Sequence, residues 1–130
     1  MLEVCCAVVQ FEDKVLIAQR SEQMLLPLKW EFPGGKIEAS ETKESCIKRE
    51  LQEELALEIE VIEALTSVTH HYDSFSLNLY PFICRAKSAE FIVKEHQKVQ
   101  WVVIEELPNF DWAEADVPIV VEYMAKRKKK

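Results

Sequence analysis

Two periods alternate along the chain. Near the start, "VCCAVVQ" (residues 4–10) and "VLIAQR" (residues 15–20) are apolar, β-rich runs joined by a polar turn "EDK". They predict two strands. The next stretch, "SEQMLLPLKWEFPGG", keeps no period and holds Pro27, Pro33 and both glycines of the chain, Gly34 and Gly35. That is turn chemistry and predicts a loop. From Thr42 to about Leu55 the period becomes 3.6, with Cys46, Ile47, Leu51 and Leu55 in one apolar stripe and no Pro or Gly inside. This predicts a helix, with Ser40 or Glu41 able to cap its start. Beyond it, "IEVIEALTSVTH", "FSLNLYPFICRA" and "KVQWVVIEEL" return to β-rich character. Pro81 inside the second run predicts an edge position or a bulge, because it cannot donate to a ladder. A last helix is expected from about Val117 to Lys128, with Val117, Val120, Val121 and Met124 on one face. Asp116 is a good N-cap for it. Strands with two helices in this order predict an α/β fold, a mixed sheet with a helix on each face.

Composition adds bounds. A chain of 130 residues, 48% hydrophobic and 30% charged, suits one globular domain over residues 1–130. No apolar run approaches the roughly 20 residues of a bilayer span. The start lacks a basic region and a cleavage site. The expected location is therefore the cytoplasm, away from membranes. Four cysteines, Cys5, Cys6, Cys46 and Cys84, have no metal-ligand spacing and read as reduced, buried thiols. A net charge of −7 disfavours duplex nucleic acid as a partner. No obligate protein partner is evident. The terminal "KRKKK" reads as a solvated helix end.

Candidate chemistry sits on the first helix. Glu50, Glu53 and Glu54 fall at i, i+3 and i+4, so they project to neighbouring points of one surface. Like charges about 4 Å apart cost on the order of 1 kcal/mol in water and more when partly buried. A solvated face tolerates that, and an acidic surface is the plain alternative. A divalent cation reverses the sign: Mg²⁺ takes oxygen ligands, commonly a few carboxylates plus substrate phosphates. The Gly34-Gly35 pair lets the backbone bend sharply and approach a ligand, and Lys36 after it can neutralise phosphate.

From Gly35 the spacing is Gly, five residues, Glu41, seven residues, then Arg49-Glu50-Leu51-Gln52-Glu53-Glu54. This resembles the Nudix box, G-x5-E-x7-R-E-U-x-E-E-x-G-U with U aliphatic. Ala56 stands where the box has glycine, at a helix end that would favour a left-handed residue. "KWEFPGGKIE", "LIAQR" and "ADVPIVVEYM" are similar to segments of the MutT-like branch. The resemblance implies an α/β/α sandwich and hydrolysis of a nucleoside triphosphate to monophosphate and pyrophosphate. It also implies dependence on Mg²⁺, with Mn²⁺ a possible substitute.

By the same resemblance Glu53 and Glu54 are metal ligands, Glu50 is ligand or general base, and the Gly34 carbonyl is a further ligand. Arg49 pairs with a box glutamate, and Glu41 is structural or a partner of the ligands. Glu95 resembles a loop carboxylate brought to the metals, and Arg20 a phosphate-contacting arginine. Asp116 matches a base-reading position, with Phe32 and Trp30 as a possible apolar wall. One of His70 and His71 at most faces the cleft. The implied substrate is 8-oxo-dGTP or a related oxidised purine. The alternatives are CTP, dCTP or a modified cytosine nucleotide, a catalytically silent nucleotide sensor, and a hydrolase of ADP-ribose or a dinucleotide.

Overall fold

The computed structural model describes residues 1–128; the last two lysines of the basic tail lie outside the described residues. Eight strands, β1 (Leu2–Phe11), β2 (Lys14–Gln19), β3 (Trp30–Glu31), β4 (Gly34–Lys36), β5 (Ile59–Ala64), β6 (Val68–His71), β7 (Ser76–Ala86) and β8 (Lys98–Val103), form a mixed sheet. Its spine runs β3-β2-β1-β7-β5, with β4 on β1, β6 on β7 and β8 on β2. The β1–β7 pair is parallel, from Leu2↔Leu77 to Gln10↔Arg85. The other strand pairs are antiparallel.

The helices α1 (Lys43–Leu55) and α2 (Val117–Lys128) cover opposite faces. The period of two along β1 explains how. Cys5, Ala7 and Val9 turn towards Cys46, Ile47, Leu51 and Leu55 of α1. Cys6 and Val8 turn towards Ile119, Val120 and Tyr123 of α2. A strand buried on both faces reads as a continuous apolar run, which is what "VCCAVV" is. Each leucine fully buried under α1 contributes about 1.5–3 kcal/mol. All four cysteines are free and buried. Burial pushes the Cys84 thiol up to about 12, which keeps it protonated and inert.

Several expectations change. The cap of α1 is Thr42, whose hydroxyl accepts the Ser45 N–H at 3.0 Å. Glu41 is instead taken up by Arg49, and Ser40 sits at φ 67°. On α2 the buried residues are Ile119, Val120 and Tyr123, whereas Val117 and Val121 are 45% and 64% exposed. Pro81 lies in β7, inside the sheet. Its carbonyl accepts the Leu65 N–H at 2.9 Å, so its missing donor faces the same interval, between the ends of β5 and β6. One partner run thus becomes two strands, and the proline costs no ladder bond. The segment read as a loop before the helix ends in β3 and β4.

Candidate active site

The glycines are required by close approach, since neither has positive φ. Gly34 and Gly35 lie in β4 against β1. A Cβ on Gly34 would stand 2.0 Å from the Cys5 carbonyl oxygen, and one on Gly35 would stand 2.2 Å from the Glu50 carboxyl carbon. Glu50 therefore packs directly onto the Gly35 backbone. The expected sharp bend is replaced by a short strand flat enough to seat a helix carboxylate.

Arg49 gathers three of the four glutamates of the box. It grips Glu41 through two nitrogens, at 2.6 and 2.9 Å, and bonds Glu50 and Glu53 at 2.9 Å each. It also donates to the Lys36 carbonyl at 3.1 Å. The fork geometry of a guanidinium suits this many oxygens at once. Bonding to Arg49 holds the Glu41 carboxyl down at about 2. Burial raises Glu50 despite its bond to Arg49. Burial also raises Glu54, helped by the charge of Glu95.

A cavity of about 300 Å³ opens beside this helix. Arg20, Gly34, Lys36, Glu54 and Glu95 line its polar side. Phe32 and Asp116 line it as well. Glu50, Glu53 and Arg49 are outside the lining: Glu50 is behind Gly35, and the Glu53 side chain, 59% exposed, turns to Arg49. Asp116, 5% exposed, accepts the Phe32 N–H at 2.9 Å. It sits in a single 3-10 turn, Glu114–Asp116, ahead of α2, and the described bond of its side chain goes to Phe32 rather than to the helix start. Burial, then the charge of Glu31, pushes the Asp116 carboxyl well above its usual range. Trp30 does not line the cavity; it packs in the core beside Phe110, ring centroids 4.9 Å apart. His70 meets Tyr72 edge-on, ring centroids 4.4 Å apart, and His71 bonds Ser76.

Sequence reasoning missed four residues here. Glu31 and His96 line the cavity and bond each other at 2.8 Å. Tyr72 and Phe75, stacked 4.9 Å apart, form an aromatic wall, and the Tyr72 hydroxyl accepts the Ala115 N–H at 2.9 Å. An acid between two buried aromatics, "WEF", was the available signal for Glu31. Aromatics flanking the "DS" turn were the signal for the wall.

Among the described residues no three of His, Cys, Asp and Glu stand close enough together to hold a metal as arranged. The donor set nonetheless fits a hard divalent cation in kind. It is all oxygen, and two of its carboxyls, Glu50 and Glu54, are pushed up by burial and by neighbouring acids. A cation there would relieve that repulsion.

Helices on both faces of a mixed sheet make an α/β/α sandwich, with an acidic helix braced by one arginine beside a cavity of mixed charge. A family model described as the NUDIX domain matches residues 4–122. The CTP pyrophosphohydrolase of Escherichia coli K12 is 33% identical over 98% of this chain and 94% of its own. The 8-oxo-dGTP diphosphatase of the same organism is 26% identical over 93% and 95%. The solution structure of the E. coli ORF135 protein superposes with a TM-score of 0.84, at 32% identity, over 100% of this chain and 93% of that one. The chain belongs to the Nudix family, in its MutT-like branch, and is a hydrolase of phosphoric anhydride bonds. Enzymes of this family generally need a divalent metal and act on nucleotides. No helix among the described residues is long and apolar enough to cross a membrane.

Proposed function

We propose that this chain is a Mg²⁺-dependent nucleoside triphosphate pyrophosphohydrolase that releases a nucleoside monophosphate and pyrophosphate. An oxidised purine such as 8-oxo-dGTP is the proposed substrate. The observation that carries the reading is one cavity lined by charged and apolar groups together. Arg20, Lys36, Glu54 and Glu95 line it with Phe32 and the buried Asp116. Phosphoryl transfer asks for positioning and charge neutralisation rather than covalent catalysis, and such a cavity supplies both. Mg²⁺, when bound, would neutralise phosphate oxygens and make a water easier to deprotonate.

Glu50, Glu53, Glu54 and Glu95 would hold the cation, with the Gly34 carbonyl as a further oxygen. Glu50 is also the candidate base, since its carboxyl is raised and held against Gly35. Arg49 orients Glu50 and Glu53 and offsets their repulsion. Arg20 and Lys36 face the phosphates. Asp116 and Phe32 contact the base. All of these residues lie in one proposed catalytic domain spanning residues 1–130.

A second reading has its own support: a CTP, dCTP or modified-cytosine substrate. The relative named for CTP is the more similar of the two E. coli proteins, 33% against 26% identical. A pyrophosphate-release screen with 8-oxo-dGTP, dGTP, CTP and dCTP side by side tests both. The first reading expects 8-oxo-dGTP to show the highest kcat/KM. A cytosine nucleotide in first place replaces it with the second. No turnover of any of the four refutes both.

A further inference from the structure

Glu95 stands on a segment without regular structure, between β7 and β8. That segment is pinned on one side by the Ile92 N–H to the Leu55 carbonyl at 2.8 Å. On the other side the Gln97 N–H reaches the Gln19 carbonyl at 2.9 Å. Between these pins, residues 93–96 have one described side-chain tie. His96 Nε2 meets Glu31 Oε2 at 2.8 Å, and the His96 side chain is only 6% exposed. The other oxygen of Glu31 is held by Arg20 Nη1 at 2.8 Å. One carboxylate on β3 thus ties the end of β2 to the residue next to Glu95. A buried imidazole can be mere filling, but this one is polar, bonded and adjacent to the one loop acid that enters the cavity.

We propose that His96, acting through Glu31, is a positioning residue that fixes the entry of Glu95 into the cavity. The proposal rests on the hydrolase reading above, in which Glu95 is a cation ligand. Without the tie, the 93–96 stretch gains conformers in which Glu95 points away, and Glu31 is left facing Glu54 with one oxygen free. Outer partners of ligating groups typically set affinity by about 10–100-fold.

The test is Mn²⁺ binding to the purified full chain, followed by the loss of free-ion paramagnetic resonance signal. Thermal melting is measured alongside. H96A is expected to weaken Mn²⁺ binding about tenfold, and E95Q to weaken it comparably. The double variant should be no weaker than E95Q alone, because a positioning residue has nothing left to position. H96Q, whose amide nitrogen can reach Glu31, should restore most of the affinity and guards against a folding defect in H96A. An additive double variant, or an unchanged H96A with E95Q impaired, overturns the role of His96 and leaves the hydrolase reading standing. A wild-type chain that does not bind Mn²⁺ overturns both.

Discussion

Ala56→Gly should stabilise the protein without touching its chemistry. Ala56 ends α1 at φ 52°, ψ 41°, the left-handed region. Its N–H donates to Gln52 O at 3.0 Å, and the Leu57 N–H donates to Leu51 O at 3.2 Å. Those bonds close the helix end, so the strained conformation is held in place by the carbonyls it satisfies. An L-residue pays about 1–2 kcal/mol there, because its Cβ crowds a carbonyl. Glycine pays nothing there but brings about 0.4–1 kcal/mol more freedom to the unfolded chain. The difference is a net gain of about 0.5–1 kcal/mol. A chain of this length shifts its Tm by roughly 3–4 °C per kcal/mol, so about 2–4 °C is expected. Calorimetric melting together with urea unfolding reads it, and kcat and KM should stay at wild-type values. An unchanged or lower Tm would show that Ala56 packs well enough to offset its strain, and would refute the assignment of cost to this residue.

Three further outcomes follow from the site. Glu53→Gln keeps size but loses the charge proposed to hold the cation, so kcat should fall at least about 100-fold with the fold intact; near wild-type turnover at saturating Mg²⁺ would take Glu53 out of the site. Asp116→Asn tests the direction in which burial pushes Asp116: if the acid works protonated, it and the amide both accept from Phe32 and both donate, and the ratio of kcat/KM between purine and cytosine triphosphates should stay within roughly threefold. Asp116→Ala should move that ratio about tenfold or more, and a large shift in the Asn variant instead would mean that the acid works ionised. Glu41 has its folded carboxyl at about 2 against an ordinary 4.5, so its stabilisation is present above 4.5 and lost as pH falls towards 2. Comparing the melting of wild type and Glu41→Gln from pH 6 to pH 2 should show a gap that closes across that window; a gap constant with pH would place Glu41's contribution outside its charge.

The site's carboxylates were legible because they follow one period on one helix. Arg49, Glu50, Glu53 and Glu54 need no tertiary information to be put on one surface. The cavity's other wall was not legible in the same way. Glu31 meets His96 across 65 positions, and Asp116 meets Phe32 across 84. Such pairings leave no periodic trace. The errors were local in kind. Thr42 caps the helix in place of Ser40 or Glu41 because Arg49, eight positions on and about two turns into the helix, claims the Glu41 carboxylate. Pro81 is expected at an edge or a bulge, and it lies inside the sheet where the pairing of β7 passes from β5 to β6 with a one-residue change of register.

Charge around α1 is divided in a way that only folding creates. One arginine serves Glu41, Glu50 and Glu53, yet the carboxyls of Glu41 and Glu50 shift in opposite directions. Glu41, bonded twice, is lowered, and its ionisation strengthens the fold above its ordinary range. Glu50 and Glu54 are raised, first by burial, so their ionisation weakens the fold as pH rises. The signs are opposite within four helical turns. Glu41 behaves as an anchor that spends its charge on Arg49. Glu50 shares Arg49 with Glu41 and Glu53 at the seat formed by Gly35, whereas Glu54, at the cavity wall, has no described side-chain hydrogen bond. Burying an anion without a full partner costs stability, and a chain selected for stability alone would replace it. The raised carboxylates are therefore the ones a cation and its phosphates would satisfy in the proposed site, while Glu41 anchors Arg49, whose bond to the Lys36 carbonyl ties their helix to β4.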